Sequence, residues 1–197
     1  AMKALNGLIG LRNVKQQVKH LINVSLANKR REDHGLPKIP LTLHCVFTGP
    51  PGTGKTTVAR LYGEILYNLG FLDKGHVVEV DRQRLVGEYV GATAIRTERV
   101  VNSAKNGVLF IDEAYSITDS HASGSGSDFG KKAIAALIKE MEDHRGEFAV
   151  IAAGYPDNMQ QFKESNPGIQ SRFDRTFHFQ DFTEKELWDI AVIMLDQ

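Results

Sequence analysis

The run Gly49-Pro-Pro-Gly-Thr-Gly-Lys-Thr56 has the residue types and spacing needed to hold a polyphosphate. Its glycines let backbone N–H groups turn inward around a β-phosphate, and a helix starting directly after the loop adds partial positive charge. Lys55 is placed to bridge β- and γ-phosphate oxygens, and the Thr56 hydroxyl to ligate Mg2+. Pro51, Gly52, Thr53, Gly54, Lys55, Thr56 and Thr57 are therefore the candidate nucleotide-binding residues. A plain Gly/Pro turn is the competing reading. The unbroken pattern, set between an apolar run and a helical one, argues against it.

A second constellation is Leu109-Phe-Ile-Asp-Glu113, an apolar strand ending in two acids. In an open parallel sheet, ligand phosphates sit at the carboxyl edge of the strands, where these acids would lie. Asp112 would orient Mg2+ and its waters, and Glu113 would polarise an attacking water. Adjacent acids after a strand can also serve only as a helix cap. Beside a phosphate loop they read as the other half of a site that hydrolyses ATP to ADP.

Sequence periodicity gives the elements that must position these groups. Val14, Val18, Leu21, Ile22 and Leu26 repeat at helical spacing and predict a helix over 13–31, ended by Gly35 and Pro37. Strands are predicted over 41–48, 76–80, 108–111, 148–153 and 176–179. Helices are predicted from the phosphate loop to Leu69, over 93–105 and over 131–142. Strands alternating with helices imply an α/β fold, a five-stranded parallel sheet covered on both faces. Thr183 and Glu186 form a capping box for a last helix with an apolar stripe at Leu187, Ile190, Ala191 and Met194. The Ser-, Gly- and Asp-rich segment 116–130 predicts a loop. Its Gly124-Ser-Gly126 is not a dinucleotide fingerprint, because the spacing to Gly130 is wrong and no strand leads into it.

Bulk properties exclude several classes. The 24 Lys and Arg balance the 24 Asp and Glu, so no global field recruits nucleic acid or an anionic membrane. Cys45 is the only cysteine, which rules out an internal disulfide and a thiolate zinc cage, and its apolar surroundings predict a buried small hydrophobe. The seven histidines show no ligand spacing. No apolar stretch is long enough to span a bilayer and no signal-peptide pattern is present, so the expectation is a cytoplasmic setting, or an organelle lumen whose targeting segment is absent from this sequence. The opening Ala1-Met2 and the end at Gln197 inside a helical pattern give the expectation of an excised fragment.

These residues resemble the AAA+ superfamily of P-loop NTPases, and the finer pattern resembles its CbxX/CfqX branch of red-type rubisco activases and a sporulation protein. The shared segments are Leu8-Ile-Gly-Leu11, Lys74-Gly-His76, Leu85-Val-Gly-Glu-Tyr-Val-Gly91, Asp112-Glu-Ala-Tyr115, Ala153-Gly-Tyr155 and Ser165-Asn-Pro-Gly168. The resemblance implies a three-layer sandwich over 1–181 and, over 182–197, the first helix of a truncated C-terminal helical lid. It also implies a homo-oligomeric ring, usually hexameric, with ATP between subunits and an unidentified protein as substrate. It assigns Ile9 and Gly10 to the adenine pocket, and Tyr89, Val90 and Gly91 to a pore loop that grips a threaded polypeptide. Arg172 becomes the finger reaching a neighbour's ATP, with Arg175 as the fallback. Gly154-Tyr155 departs from the wider superfamily, which commonly ends this strand in an Asn or Thr that contacts the γ-phosphate and the attacking water. Water positioning must then rest on Glu113 and another group. Pro50 stands where the branch often has Asn, and the second sensor arginine cannot be placed in this sequence. The alternatives are a DNA-directed loader built on the same core, which the neutral charge and Tyr89 disfavour, and a nucleotide-binding scaffold, which Glu113 and Arg172 disfavour.

Overall fold

The computed structural model describes residues 1–87, 91–118 and 125–195. Strands β1 (Cys45–Thr48), β2 (Val77–Val80), β3 (Val108–Ile111), β4 (Ala149–Gly154) and β5 (Arg175–His178) form one parallel sheet in the order β2-β3-β4-β1-β5. The helices are α1 (Met2–Gly7), α2 (Arg12–Asp33), α3 (Lys55–Asn68), α4 (Arg82–Leu85), α5 (Ala92–Ala104), α6 (Tyr115–Thr118), α7 (Ser125–Asp143), α8 (Pro156–Glu164), α9 (Pro167–Arg172) and α10 (Glu184–Leu195). Every residue of β1, β3 and β4 is buried, as a sheet covered on both sides requires.

Alternate residues of these strands enter opposite layers. Cys45, Phe47, Val108, Phe110 and Ile151 join a core with Val14, Val18 and Leu21 of α2 and Val58, Tyr62 and Leu66 of α3. Val46, Leu109, Ile111, Val150 and Ala152 join the other, with Val101 of α5, Ile134 and Leu137 of α7, and Phe162 of α8. Each such Leu, Ile or Phe contributes about 1.5–3 kcal/mol of burial free energy, so the sheet is a rigid platform for whatever its edges carry. Cys45 is fully buried and its thiol pKa is pushed up, chiefly by desolvation, in line with an inert core residue.

The first strand is shorter than periodicity predicts. His44 Nδ1 accepts the Val150 N–H at 3.0 Å, so a side chain continues the pairing with β4 where backbone pairing has stopped. The loop expected over 116–130 is helical at its flanks, in α6 and α7. Residues 119–124 lie outside the described residues. The Asp128–Lys132 ion pair at 2.7 Å supports the first turns of α7. Gly130 packs so tightly on the Ile117 carbonyl that a Cβ would approach it to 1.9 Å. The capping box forms as expected: Thr183 N–H donates to Glu186 Oε2 at 2.8 Å and Glu186 N–H to Thr183 Oγ1 at 3.3 Å. The helix it starts, α10, has no buried residue, and Trp188 and Met194 are each 72% exposed. No helix among the described residues is long and apolar enough to cross a membrane.

Candidate active site

The phosphate loop begins where β1 and β4 end together, with the Gly49 N–H bonded to the Gly154 carbonyl at 3.1 Å. Only glycine fits at 49, since a Cβ would lie 2.2 Å from the Phe179 carbonyl oxygen. Gly54, in the left-handed region at φ +89°, caps α3, and the Val58 N–H to Gly54 carbonyl bond of 2.9 Å closes the first turn. Lys55, Thr56 and Thr57 therefore present first-turn N–H groups that have no intrahelical acceptor. The Thr53 hydroxyl ties the loop by donating to the Pro50 carbonyl at 2.8 Å. The Lys55 ammonium donates to the Gly49 carbonyl at 2.8 Å and the Pro50 carbonyl at 2.7 Å. Burial lowers its pKa and the Asp112 charge opposes that shift. The loop thus collects N–H donors and one cation around a single space, which fits a polyphosphate anion.

The acids arrive from β3. The Asp112 N–H bonds the Val80 carbonyl at 2.9 Å, and the Ala114 N–H bonds the Ala153 carbonyl at 3.0 Å, so both neighbouring strands fix the turn. Glu113 between them adopts φ +46°, a left-handed conformation uncommon outside glycine, and its N–H donates to Asp112 Oδ1 at 3.0 Å. Lys55, Thr56, Thr57, Asp112 and Glu113 line one cleft of about 390 Å³ that also holds Pro51, Gly52, Gly54, Gly154 and Tyr155. Thr56 and Asp112 also border an adjoining space of about 210 Å³. A hydroxyl and a carboxylate are hard oxygen donors of the kind Mg2+ takes. Among the described residues no group of three or more His, Cys, Asp or Glu could complete a metal shell, so phosphate oxygens and water would supply the rest.

Ile9 and Gly10 lie apart from the phosphate cleft, in a cavity of about 500 Å³ shared with His178, Phe182 and Glu186. Gly10 has φ +67° and no space for a Cβ, which would approach Glu186 Oε1 to 2.8 Å. Gly49 packs against Phe179, the residue between His178 and Gln180 of that cavity, so a single residue links the phosphate loop to the cavity wall.

Arg172 is at the opposite edge of the sheet. It lines a cavity of about 420 Å³ with Leu43 and His44, the residues that enter β1, whereas the phosphate loop leaves β1. The five residue steps from His44 to Gly49 correspond to about 16 Å of strand. Arg172 Nη2 pairs with Glu142 Oε2 of α7 at 2.5 Å, and Nη1 donates to the Gly168 carbonyl at 3.2 Å. The same Glu142 oxygen binds Arg145 at 2.8 Å. Arg145 first, then Arg172, hold the Glu142 carboxyl below its ordinary value. The fallback Arg175 is half-buried, and its Nη1 is buried without an acceptor from the protein. Tyr89 and Val90 lie outside the described residues. Gly91 is exposed and caps α5 at φ +88°.

Three neighbours of the site carry no role that the sequence alone assigns. Tyr115 and Tyr155 pair their rings beside Glu113, with centroids 6.3 Å apart, and His44 underlies Arg172. Glycine at 154, where a polar residue is customary, was the available signal for the first two.

A parallel sheet in this strand order, with a phosphate loop after β1 and paired acids after β3, defines a P-loop nucleotide-binding domain. Residues 45–181 match the ATPase family associated with various cellular activities (AAA), and the chain belongs to that family, which implies ATP binding. Near-full-length similarity extends to several curated relatives. The chain is 43% identical over 195 residues to stage V sporulation protein K of Bacillus subtilis, covering 99% of this chain and 59% of that protein. It is 44% identical over 190 residues to the chloroplastic ribulose bisphosphate carboxylase/oxygenase activase of Cyanidioschyzon merolae, covering 96% of this chain and 64% of that one. Against protein CbbX of Cereibacter sphaeroides it is 44% identical over 189 residues, 96% of this chain and 60% of the relative. The chain thus spans about three fifths of the length of the relatives it matches.

Proposed function

We propose that the chain is the motor core of a ring-forming ATPase that hydrolyses Mg-ATP at subunit interfaces and couples this to remodelling of a protein substrate. The convergence of Lys55, Thr56, Asp112 and Glu113 on one cleft carries this reading. The N–H groups of the loop and of the first turn of α3 receive the phosphates. Lys55 exchanges its two loop carbonyls for phosphate oxygens, which restores the solvation its ammonium loses on burial. Mg2+, when bound, neutralises phosphate charge, with Thr56 and Asp112 as its protein-side ligands. Glu113 accepts the proton of the attacking water, and Arg172 of a neighbouring subunit meets the charge that develops on the γ-phosphate. Ile9 and Gly10 border the space proposed for adenine. The exposed side chains of α10 support its reading as the first helix of a lid that begins near residue 182. A hexamer, a pore loop at Tyr89, Val90 and Gly91, and a cytoplasmic setting complete the proposal.

The test is nucleotide titration and turnover in the full-length protein. Lys55→Ala should weaken labelled-ATP binding by about a hundredfold or more, since it removes a charge-assisted contact to two phosphates. Glu113→Gln should bind ATP like the parent and turn it over about 10²–10⁴-fold more slowly. Parent-like ATP binding by Lys55→Ala would contradict the phosphate-loop assignment.

A further inference from the structure

The end of β4 offers no side chain to the cleft, because residue 154 is glycine, and the reason is steric. A Cβ there would lie 2.7 Å from Tyr115 Cδ1, 2.9 Å from Tyr115 Cε1 and 2.8 Å from Met159 Sδ. The Tyr115 ring therefore occupies the volume into which a polar side chain at the end of β4 would project. Three contacts hold the ring there. The Ala114 N–H bond to the Ala153 carbonyl fastens the turn to β4, and the Ser116 N–H bonds the Glu113 carbonyl at 2.8 Å. Arg82 of α4 donates to the carbonyls of Ser116 and Ile117, anchoring α6 from its far side. The Tyr115 phenol stands two residues beyond Glu113 on the same turn, its ring paired with that of Tyr155, which lines the cleft together with Glu113. Desolvation first, then the Glu113 charge, raise its pKa above the ordinary 10, so the hydroxyl keeps its proton at neutral pH and remains a donor.

We propose that Tyr115 is a positioning residue for hydrolysis: its hydroxyl donates to the Glu113 carboxylate and holds it towards the attacking water. It thereby takes the part that a polar residue at the end of β4 would otherwise play. The proposal rests on the reading of this cleft as an ATP-hydrolysing site. The left-handed backbone at Glu113 makes such a support necessary, since that carboxylate stands on a strained turn with one neighbour, Asp112, of like charge. Ring packing on Gly154 alone would need only a phenyl group, so removing the hydroxyl separates the two roles.

The experiment compares parent, Tyr115→Phe, Glu113→Gln and the double variant in the full-length protein, by steady-state ATP turnover, labelled-ATP binding and Tm. Tyr115→Phe should lower kcat about ten- to a hundredfold while KM, ATP affinity and Tm stay near the parent's. On the Glu113→Gln background it should add no further loss, because the two residues act as one unit. Parent-like kcat in Tyr115→Phe with Glu113→Gln inactive overturns the positioning role and leaves the hydrolytic reading standing. So does a Tyr115→Phe loss that persists undiminished on the Glu113→Gln background. Turnover at the parent rate by Glu113→Gln overturns the hydrolytic reading itself and the positioning role with it.

Discussion

At the carboxyl edge of the sheet, Lys55, Thr56, Asp112 and Glu113 converge on one cleft. At the amino edge, Arg172 sits beside Leu43 and His44, tied to Glu142 of its own α7. The first edge has donors, a cation and two carboxylates around one space, all supplied by a single chain. The second carries a cation on the wrong side of a buried sheet to reach that space. A strand's length of packed core separates them, about 16 Å, and a rigid parallel sheet does not fold over to close the gap. If both edges serve one reaction, two chains must supply them. The Glu142 pair is compatible with this division, because an ion pair with a solvent-exposed carboxylate is weak and yields readily to a phosphate.

The comparison breaks most visibly at Arg172. Arg172→Ala should lower ATP turnover of the assembled protein about 10³–10⁵-fold, the range such arginines command in P-loop enzymes, and leave ATP affinity unchanged. Loss of affinity with turnover per bound ATP preserved would place Arg172 in ground-state binding and dissolve the contrast between the edges.

Acid should distinguish the edges next. Burial, then the Arg172 charge, lower the His44 pKa from 6.5 to about 4. The unfolded chain takes up this proton near pH 6.5, whereas the folded chain refuses it until about pH 4. The fold therefore keeps its full His44 contribution above pH 6.5 and loses about 3 kcal/mol as pH falls from 6.5 to 4. Protonation at Nδ1 would also break the Val150 N–H bond. Denaturant unfolding across that window should show the loss, and His44→Gln should flatten it. An equal slope in His44→Gln would assign the acid sensitivity elsewhere.

Gly154→Ala should have the smallest effect. The added methyl must displace the Tyr115 ring or Met159, costing about 1–3 kcal/mol in Tm-derived stability and lowering turnover with it. Unchanged stability and turnover would mean the ring moves freely, against its proposed part at the carboxyl edge.

The carboxyl edge was the more legible of the two in the sequence. A phosphate loop is contiguous, and its glycines, lysine and threonine are bound to one backbone turn, so spacing alone brings them together. Asp112 and Glu113 follow an apolar run whose burial is equally plain, and β3 begins and ends where that run does. The amino edge depends on distant contacts. Nothing in the spacing of Glu142 and Arg172, thirty residues apart, announces their pairing. The missed helices α8 and α9 are short and begin at Pro156 and Pro167, where a proline at the first position reads as easily as a turn. The helical flanks of the Ser- and Gly-rich segment escaped notice because Arg82 and the Ile117 carbonyl, remote in sequence, hold them. Tyr115 was hidden for a similar reason: its ring reaches Gly154 only through the left-handed turn at Glu113, a conformation that residue type does not predict.

Mixing two inactive variants tests the division of labour between chains most directly. Lys55→Ala removes the ammonium proposed to hold the phosphates and Arg172→Ala removes the proposed finger, so each alone should turn over little ATP. In a co-assembled mixture, an intact cleft on one chain can meet an intact Arg172 on the next. Turnover should then rise above the sum of the separate variants and peak near equal proportions. If the two variants co-assemble, as shown by sedimentation of differently labelled chains, and the mixture stays at that sum, Arg172 does not act on a neighbour's ATP.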